Sequence, residues 1–165
     1  MANSEIAILL AVIDQAFDRK SWHGTNLRGS IKGMGAEQAA WRPSTNRHNI
    51  WEITLHAAYW KYIVRRRLMS EARGSFPLKG SNWFERPGRS RTGPAAWKAD
   101  VALLNEMHTG LRAAVANLTP RQLHQTPVGS KISNLALITG VAAHDLYHAG
   151  QVQLLKRLSH GYVER

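Results

Sequence analysis

Residues 144–158 read HDLYHAGQVQLLKRL, and residues 49–60 read NIWEITLHAAYW. In the first stretch His144 and His148 stand four residues apart, on the same helical seam as Val141 and Leu155. In the second, His56 shares a seam with Ile53 and Trp60. All three occupy places where an ordinary bundle helix carries leucine. An i, i+4 pair on one helix face aims two rings at one point. Neutral imidazole is a good ligand for zinc, nickel or iron. The reading is a helical bundle with a divalent-metal site in its core, formed by His56, His144 and His148.

Outward from these stretches, four amphipathic helices can be traced. The first runs from about Ser4 to Lys20, with Ile6, Leu10, Ile13 and Phe17 on one seam. The second opens at Asn49, a good N-cap, with Glu52 three residues on in a capping-box arrangement. Its seam is Ile53, His56, Trp60 and Ile63, and its expected end is Arg73-Gly74. The third starts at Pro94, a favourable first-turn residue. It carries Trp97, Val101, Leu104, His108, Leu111, Val115 and Leu118 inward. The fourth runs from about Ser133 to His160-Gly161, with Leu137, Val141, His144, His148, Gln151, Leu155 and Leu158 on its seam. A short turn at Pro120 to His124 joins the last two, and another is expected at Gly35 to Ala40. No alternating β-branched run suggests a strand. The fold class is all-α, a four-helix bundle.

Gly74 to Gly93 is long and rich in Gly, Pro, Ser and Arg. A simple up-down-up-down bundle needs only short links, so this segment reads as a crossover between two helices that run parallel.

With 165 residues, 44% of them hydrophobic, the chain is expected to form one domain over 1–165 with a core of its own. It has no cysteine, which excludes a disulfide framework, a thiolate zinc site and a thiol nucleophile. The opening MANSEIAILLAVIDQAF lacks the basic start and cleavage pattern of a signal peptide. No segment approaches the roughly 20 apolar residues of a membrane span. The expectation is a cytoplasmic protein without membrane contact.

The net charge is +11. It suits a nucleic acid, an anionic surface or an acidic small-molecule substrate. The cations are scattered. Arg65-Arg66-Arg67 closes the second helix, where cations favour the dipole's negative end. Arg86, Arg89 and Arg91 lie in the crossover. Without a basic stripe or recognition motif, nucleic acid is a possible but unfavoured partner.

The other polar residues leave alternatives. Glu52 lies one turn before His56 on the same face. It is the candidate to orient that ligand or act as a base, beside its capping role. Asp145 points about 100° away from His144 and has surface, structural or ligand-supporting roles open to it. His108 reads as an ordinary satisfied histidine ahead of a fourth ligand or a pocket acid–base, and His23 as a loop cap or a group at the site's mouth. Tyr147 and Gln151 read first as helix packing, with a place in the pocket lining as the alternative. Trp22, Trp51 and Trp60 read as core. Trp83 and Phe84 pack the crossover down or cover the pocket.

Three segments together carry a family resemblance: WHGTNL at 22–27, AAWRPSTNRHNIWEITLHAAYWKYIVRRRL at 39–68, and HDLYHAGQVQLLKRL at 144–158. The chain resembles the DinB/YfiT-like superfamily of metal-dependent four-helix proteins. The resemblance implies an up-down-down-up bundle, a divalent metal on His56, His144 and His148, and a homodimer. It also implies a transferase or isomerase using a low-molecular-weight thiol as cosubstrate. Hydrolysis by metal-bound water suits the same ligands. The competing reading is a nucleic-acid-binding or stress-associated module that holds metal without turnover.

Overall fold

The computed structural model describes residues 4–88 and 92–163. Arg89 and Arg91 of the basic loop group lie outside the described residues. Seven helices follow one another: α1 Ser4–Phe17, α2 Leu27–Ser30, α3 Ala36–Ala40, α4 Ile50–Leu68, α5 Gly93–Ala116, α6 Pro120–Leu123 and α7 Asn134–Val163. No strand occurs among the described residues. The all-helical expectation holds, and the four long helices are those traced in the sequence.

The ends are set locally. At α4, Asn49 Oδ1 accepts the Glu52 backbone N–H at 2.8 Å. The helix stops at Leu68, earlier than Arg73-Gly74. Ser70 takes a left-handed φ of 54°, and Glu71 N turns back to Arg66 O at 2.9 Å. Nothing in the residue types at 69–73 announces this stop. Helix α1 ends at Phe17 rather than Lys20. In α6, Thr119 and Gln122 form a reciprocal capping box. Helix α2 was not foreseen. Asn26 caps it by accepting from Gly29 N at 2.8 Å, and its amide also holds Arg19 O at 2.8 Å.

The four long helices pack in a ring, with α1 against α5 and α7, and α4 against α5 and α7. Two apolar clusters fill it. One gathers Leu27, Ile50, Trp51, Leu55, Leu104, Val152 and Phe84. The other gathers Ile6, Ile13, Leu111, Val115, Leu123 and Ile138. Burying each large side chain contributes roughly 1.5–3 kcal/mol.

A polar layer crosses the molecule between the clusters. Helix α7 gives Leu137 to Ala142 to one cluster and Ala149 to Leu155 to the other, with His144, Asp145 and His148 between them. On α4, Lys61 lies between Ala58 and Val64, and on α5, His108 lies between Leu104 and Leu111. Lys61 and Asp145 are each 1% exposed and form an ion pair. The Lys61 ammonium also sits 4.7 Å from the centre of the Phe17 ring. His108 stacks on Phe17 at 3.8 Å, with Nε2 3.7 Å from Asp14 Oδ1. Its Nδ1 is buried without a hydrogen-bond partner, so it is less satisfied than the sequence suggested. Burial, then the nearby Lys61 and Arg112 charges, push its pKa down to about 3.

Other differences concern exposure. Trp51 is buried, but Trp22 is fully exposed and Trp60 is half-buried. Leu158, placed on the α7 seam, is 47% exposed because the groove it borders is open.

Candidate metal centre

Helices α4 and α7 bring His56, His144 and His148 together. The Nε2 atoms of His56 and His144 are 3.1 Å apart, and those of His148 and His144 are 3.0 Å apart. One potential ligand atom from each ring falls within 4.8 Å of the other two, so the group could hold a metal ion. His144 is the central ring of the three.

The outer nitrogens decide what the inner ones offer. His56 Nδ1 donates to the Asn82 carbonyl at 2.9 Å. His148 Nδ1 donates to Gln151 Oε1 at 2.7 Å, and the Gln151 amide donates to the Tyr147 hydroxyl at 3.1 Å. With protons held at Nδ1, both Nε2 atoms present lone pairs inward. His144 Nδ1 is buried without a partner. A proton on His144 Nε2 could serve only one of the two facing lone pairs. A cation at the convergence point serves all three rings, so the donor set fits a metal.

Electrostatics agree. Burial first, then the neighbouring His148, His56 and Lys61 charges, push His144 down to about 3. Burial pushes His148 down to about 4 against the bond to Gln151, and lowers His56 against the bond to Asn82. The rings are neutral at pH 7, the state that binds metal.

Trp83, from the segment between α4 and α5, stacks on His56 at 3.8 Å and on His48 at 3.6 Å. It both packs that segment down and walls the site. Trp60 donates Nε1–H to Asn82 Oδ1 at 3.0 Å and lies edge-on to His56 and His144. Phe84 goes to the core instead, against Tyr59 and Phe76.

The histidines open onto a cleft of about 580 Å³, within the range of ligand sites. Pro43, Ile53, Leu154, Leu155 and Leu158 give it an apolar rim, while Arg47, His48 and Tyr147 add polar groups.

Glu52 does not reach His56. Its carboxylate binds Arg42 on both oxygens, His48 Nδ1 at 2.9 Å and Arg86 N at 3.1 Å. Burial raises its pKa, but these bonds from Arg42, His48 and Arg86 outweigh it and hold the group below its usual value. Orientation of His56 falls to the Asn82 carbonyl, and Glu52 ties the 42–48 segment and the Arg86 region to α4. His23 lies elsewhere, in an exposed loop beside Leu146, Gly150 and Arg157. Asp145 pairs with Lys61 behind His144, where burial lifts it to about 6 against the pull of Lys61.

A family model described as the DinB superfamily matches residues 20–152, well over half of the chain. The chain belongs to the DinB superfamily. No curated protein and no solved structure matches it. The matched span takes in all three histidines of this DinB chain, together with Asn82, Trp83 and Gln151.

Sequence reasoning missed Asn82 and Lys61, and ranked a pocket role for Gln151, which the cleft now shows, below plain packing. Lys61 could have been found, since it is four residues after Ala57 and three before Val64, on the inward face. Gln151 lies three residues after His148, one turn on and on the same face. Replacing it by leucine in this DinB protein is expected to lower metal affinity roughly 10–100-fold and leave the fold intact. Competition with a chromophoric chelator measures it. An affinity equal to the parent's would return Gln151 to plain packing.

Proposed function

We propose that the protein is a divalent-metal-dependent enzyme. His56, His144 and His148 would hold zinc, nickel or iron, and a low-molecular-weight thiol would be its cosubstrate in transfer to an electrophile or in an isomerisation. The observation that carries this is the opening of three convergent, neutral imidazole nitrogens onto the wall of an apolar-rimmed cleft. A structural metal site is closed by four protein ligands, whereas three leave a position free for chemistry. A divalent ion held there would favour the deprotonated form of a thiol or water.

The chain's own residues supply position and environment. The Asn82 carbonyl and Gln151 keep the protons of His56 and His148 on Nδ1. Trp83 fixes the His56 ring face and excludes water from that side. Arg47 at the cleft receives an anionic group of thiol or substrate, and Leu154 and Leu158 receive an apolar body. Metal-assisted hydrolysis is the second reading, because the same three-histidine set would leave a position for water on the metal.

The proposal includes an up-down-down-up arrangement of α1, α4, α5 and α7. Its support is that partners along α4 and α5 advance together: Trp51 bonds Asp100, and Arg65 lies beside Gly110. It includes a homodimer, supported by Ile8 and Val12, exposed four residues apart on α1 and outside the cleft. It also includes a cytoplasmic setting, where thiols are kept reduced. No helix among the described residues is long and apolar enough to cross a membrane.

The test is to load the protein with zinc, nickel or iron and follow free-thiol loss in the presence of an electrophile. For transfer the expected result is metal-dependent thiol consumption that a chelator abolishes; for isomerisation it is metal- and thiol-dependent conversion of the electrophile with the free thiol returned. Ester hydrolysis with no thiol consumption under any metal would replace the transferase reading by the hydrolase one.

A further inference from the structure

A second cavity, of about 660 Å³, lies between the C-terminal half of α4 and the segment that follows it. It shares no lining residue with the histidine cleft. Arg66, Arg67, Arg73 and Lys79 line it, and none of its described lining residues is acidic. Tyr59, Trp60, Tyr62 and Phe76 supply aromatic walls.

The pairing of its charges separates this cavity from an ordinary solvated basic face. The one acidic residue close in sequence, Glu71, gives its carboxylate to Arg65 and only its backbone carbonyl to Arg66, at 3.0 Å. Arg67, Arg73 and Lys79 have no carboxylate partner among the described residues. The dipole at the end of α4 accounts for cations at 65–67. It does not account for Arg73 and Lys79 returning to the same concavity from outside the helix. Four like charges around one cavity repel one another, and a bound anion relieves that repulsion while accepting hydrogen bonds from the guanidinium and ammonium groups that line the cavity. Guanidinium groups suit phosphate and carboxylate geometry, and aromatic walls suit a flat or apolar body.

We propose that this cavity is a binding site for an organic anion, an aromatic or apolar body carrying a phosphate, sulfonate or carboxylate group. The site is separate from the metal centre. Trp60 stands between them, lining the cavity while its ring edge lies against His56 and His144.

The test uses the full chain and two probes, anilinonaphthalene sulfonate and inorganic phosphate. The sulfonate should bind one per chain, with affinity that falls as salt rises. Arg73→Gln with Lys79→Gln changes two exposed residues and should weaken binding roughly tenfold, with the melting temperature unchanged. Adding Arg67→Gln should weaken it further. Arg121→Gln with Lys131→Gln removes the same charge elsewhere and should leave binding as it was. Arg47→Gln with Leu158→Ala, which changes the anion-facing and apolar groups of the histidine cleft, should also leave it as it was, because the cleft is not the site. Inorganic phosphate should compete only weakly, lacking the flat body. Undiminished binding in the Arg67, Arg73, Lys79 variant, an equal loss in the Arg121, Lys131 control, or loss in the Arg47, Leu158 variant would overturn the proposal. Phosphate binding as tightly as the sulfonate would overturn the organic class assigned to the ligand.

Discussion

Replacing His144 by alanine is expected to empty the metal centre while the helices stay folded. His144 Nε2 is the atom that both other rings face, at 3.1 Å and 3.0 Å. Its removal leaves His56 and His148 on different helices with nothing between them. Metal content per chain should fall from about one to near zero. Affinity should fall by more than the roughly 10–100-fold that loss of a supporting hydrogen bond costs. The two apolar clusters are untouched, so helical signal and cooperative melting should persist. Metal analysis of untagged protein, paired with circular dichroism, measures both. Stoichiometric metal in this variant would mean that the ligand set is wrong.

The second large effect is on stability. Lys61→Ala leaves the Asp145 carboxylate buried without its cation. Removing one member of a buried ion pair typically costs about 3–5 kcal/mol. In a domain of this size that lowers the melting temperature by roughly 10 °C. Replacing both, Lys61→Met with Asp145→Leu, should recover most of the loss, because no uncompensated charge remains. The deficit should also depend on pH. Burial already raises Asp145 to about 6 in the fold, and loss of Lys61 removes the charge that opposes this. Between the unfolded carboxylate's pKa and the higher folded one, the folded state binds more protons. Stability relative to the parent therefore rises as pH falls, and the variant's deficit should shrink from pH 7 toward pH 5. Thermal melts at both pH values test this. A cost for Lys61→Ala under about 1 kcal/mol would remove the pair from the stability argument.

The long helices and the three histidines could be read in the sequence because both follow the helical period. Ile6, Ile13, Leu104, Leu111, Val115, Val141 and Leu155 lie where that period puts them. The same rule places His144 and His148 on one face. What escaped is not periodic. Asn82 meets His56 from 26 residues away through a backbone carbonyl, and nothing in a carbonyl is written in residue type. Glu52 had two local roles in view, and its actual partners, Arg42 and Arg86, come from flanking segments whose path depends on the folded core. The exposure of Trp22 and Leu158 was missed for a related reason. Hydrophobicity says what could be buried, but not whether a neighbour is there to cover it.

The support of His56 by a backbone carbonyl also bears on how this site tolerates evolutionary change. A carboxylate in that place would be lost by a single substitution, whereas every amino acid brings a carbonyl to position 82. What must be kept is the path of the chain. The left-handed φ of 64° at Asn82 suits asparagine or glycine and penalises branched side chains. The number of residues between Leu68 and Asn82 sets where the oxygen arrives. As far as the metal centre is concerned, drift in residue identity along that stretch is therefore cheap, while insertions and deletions are costly. Chains that share this centre would show it as constant spacing between poorly matching letters.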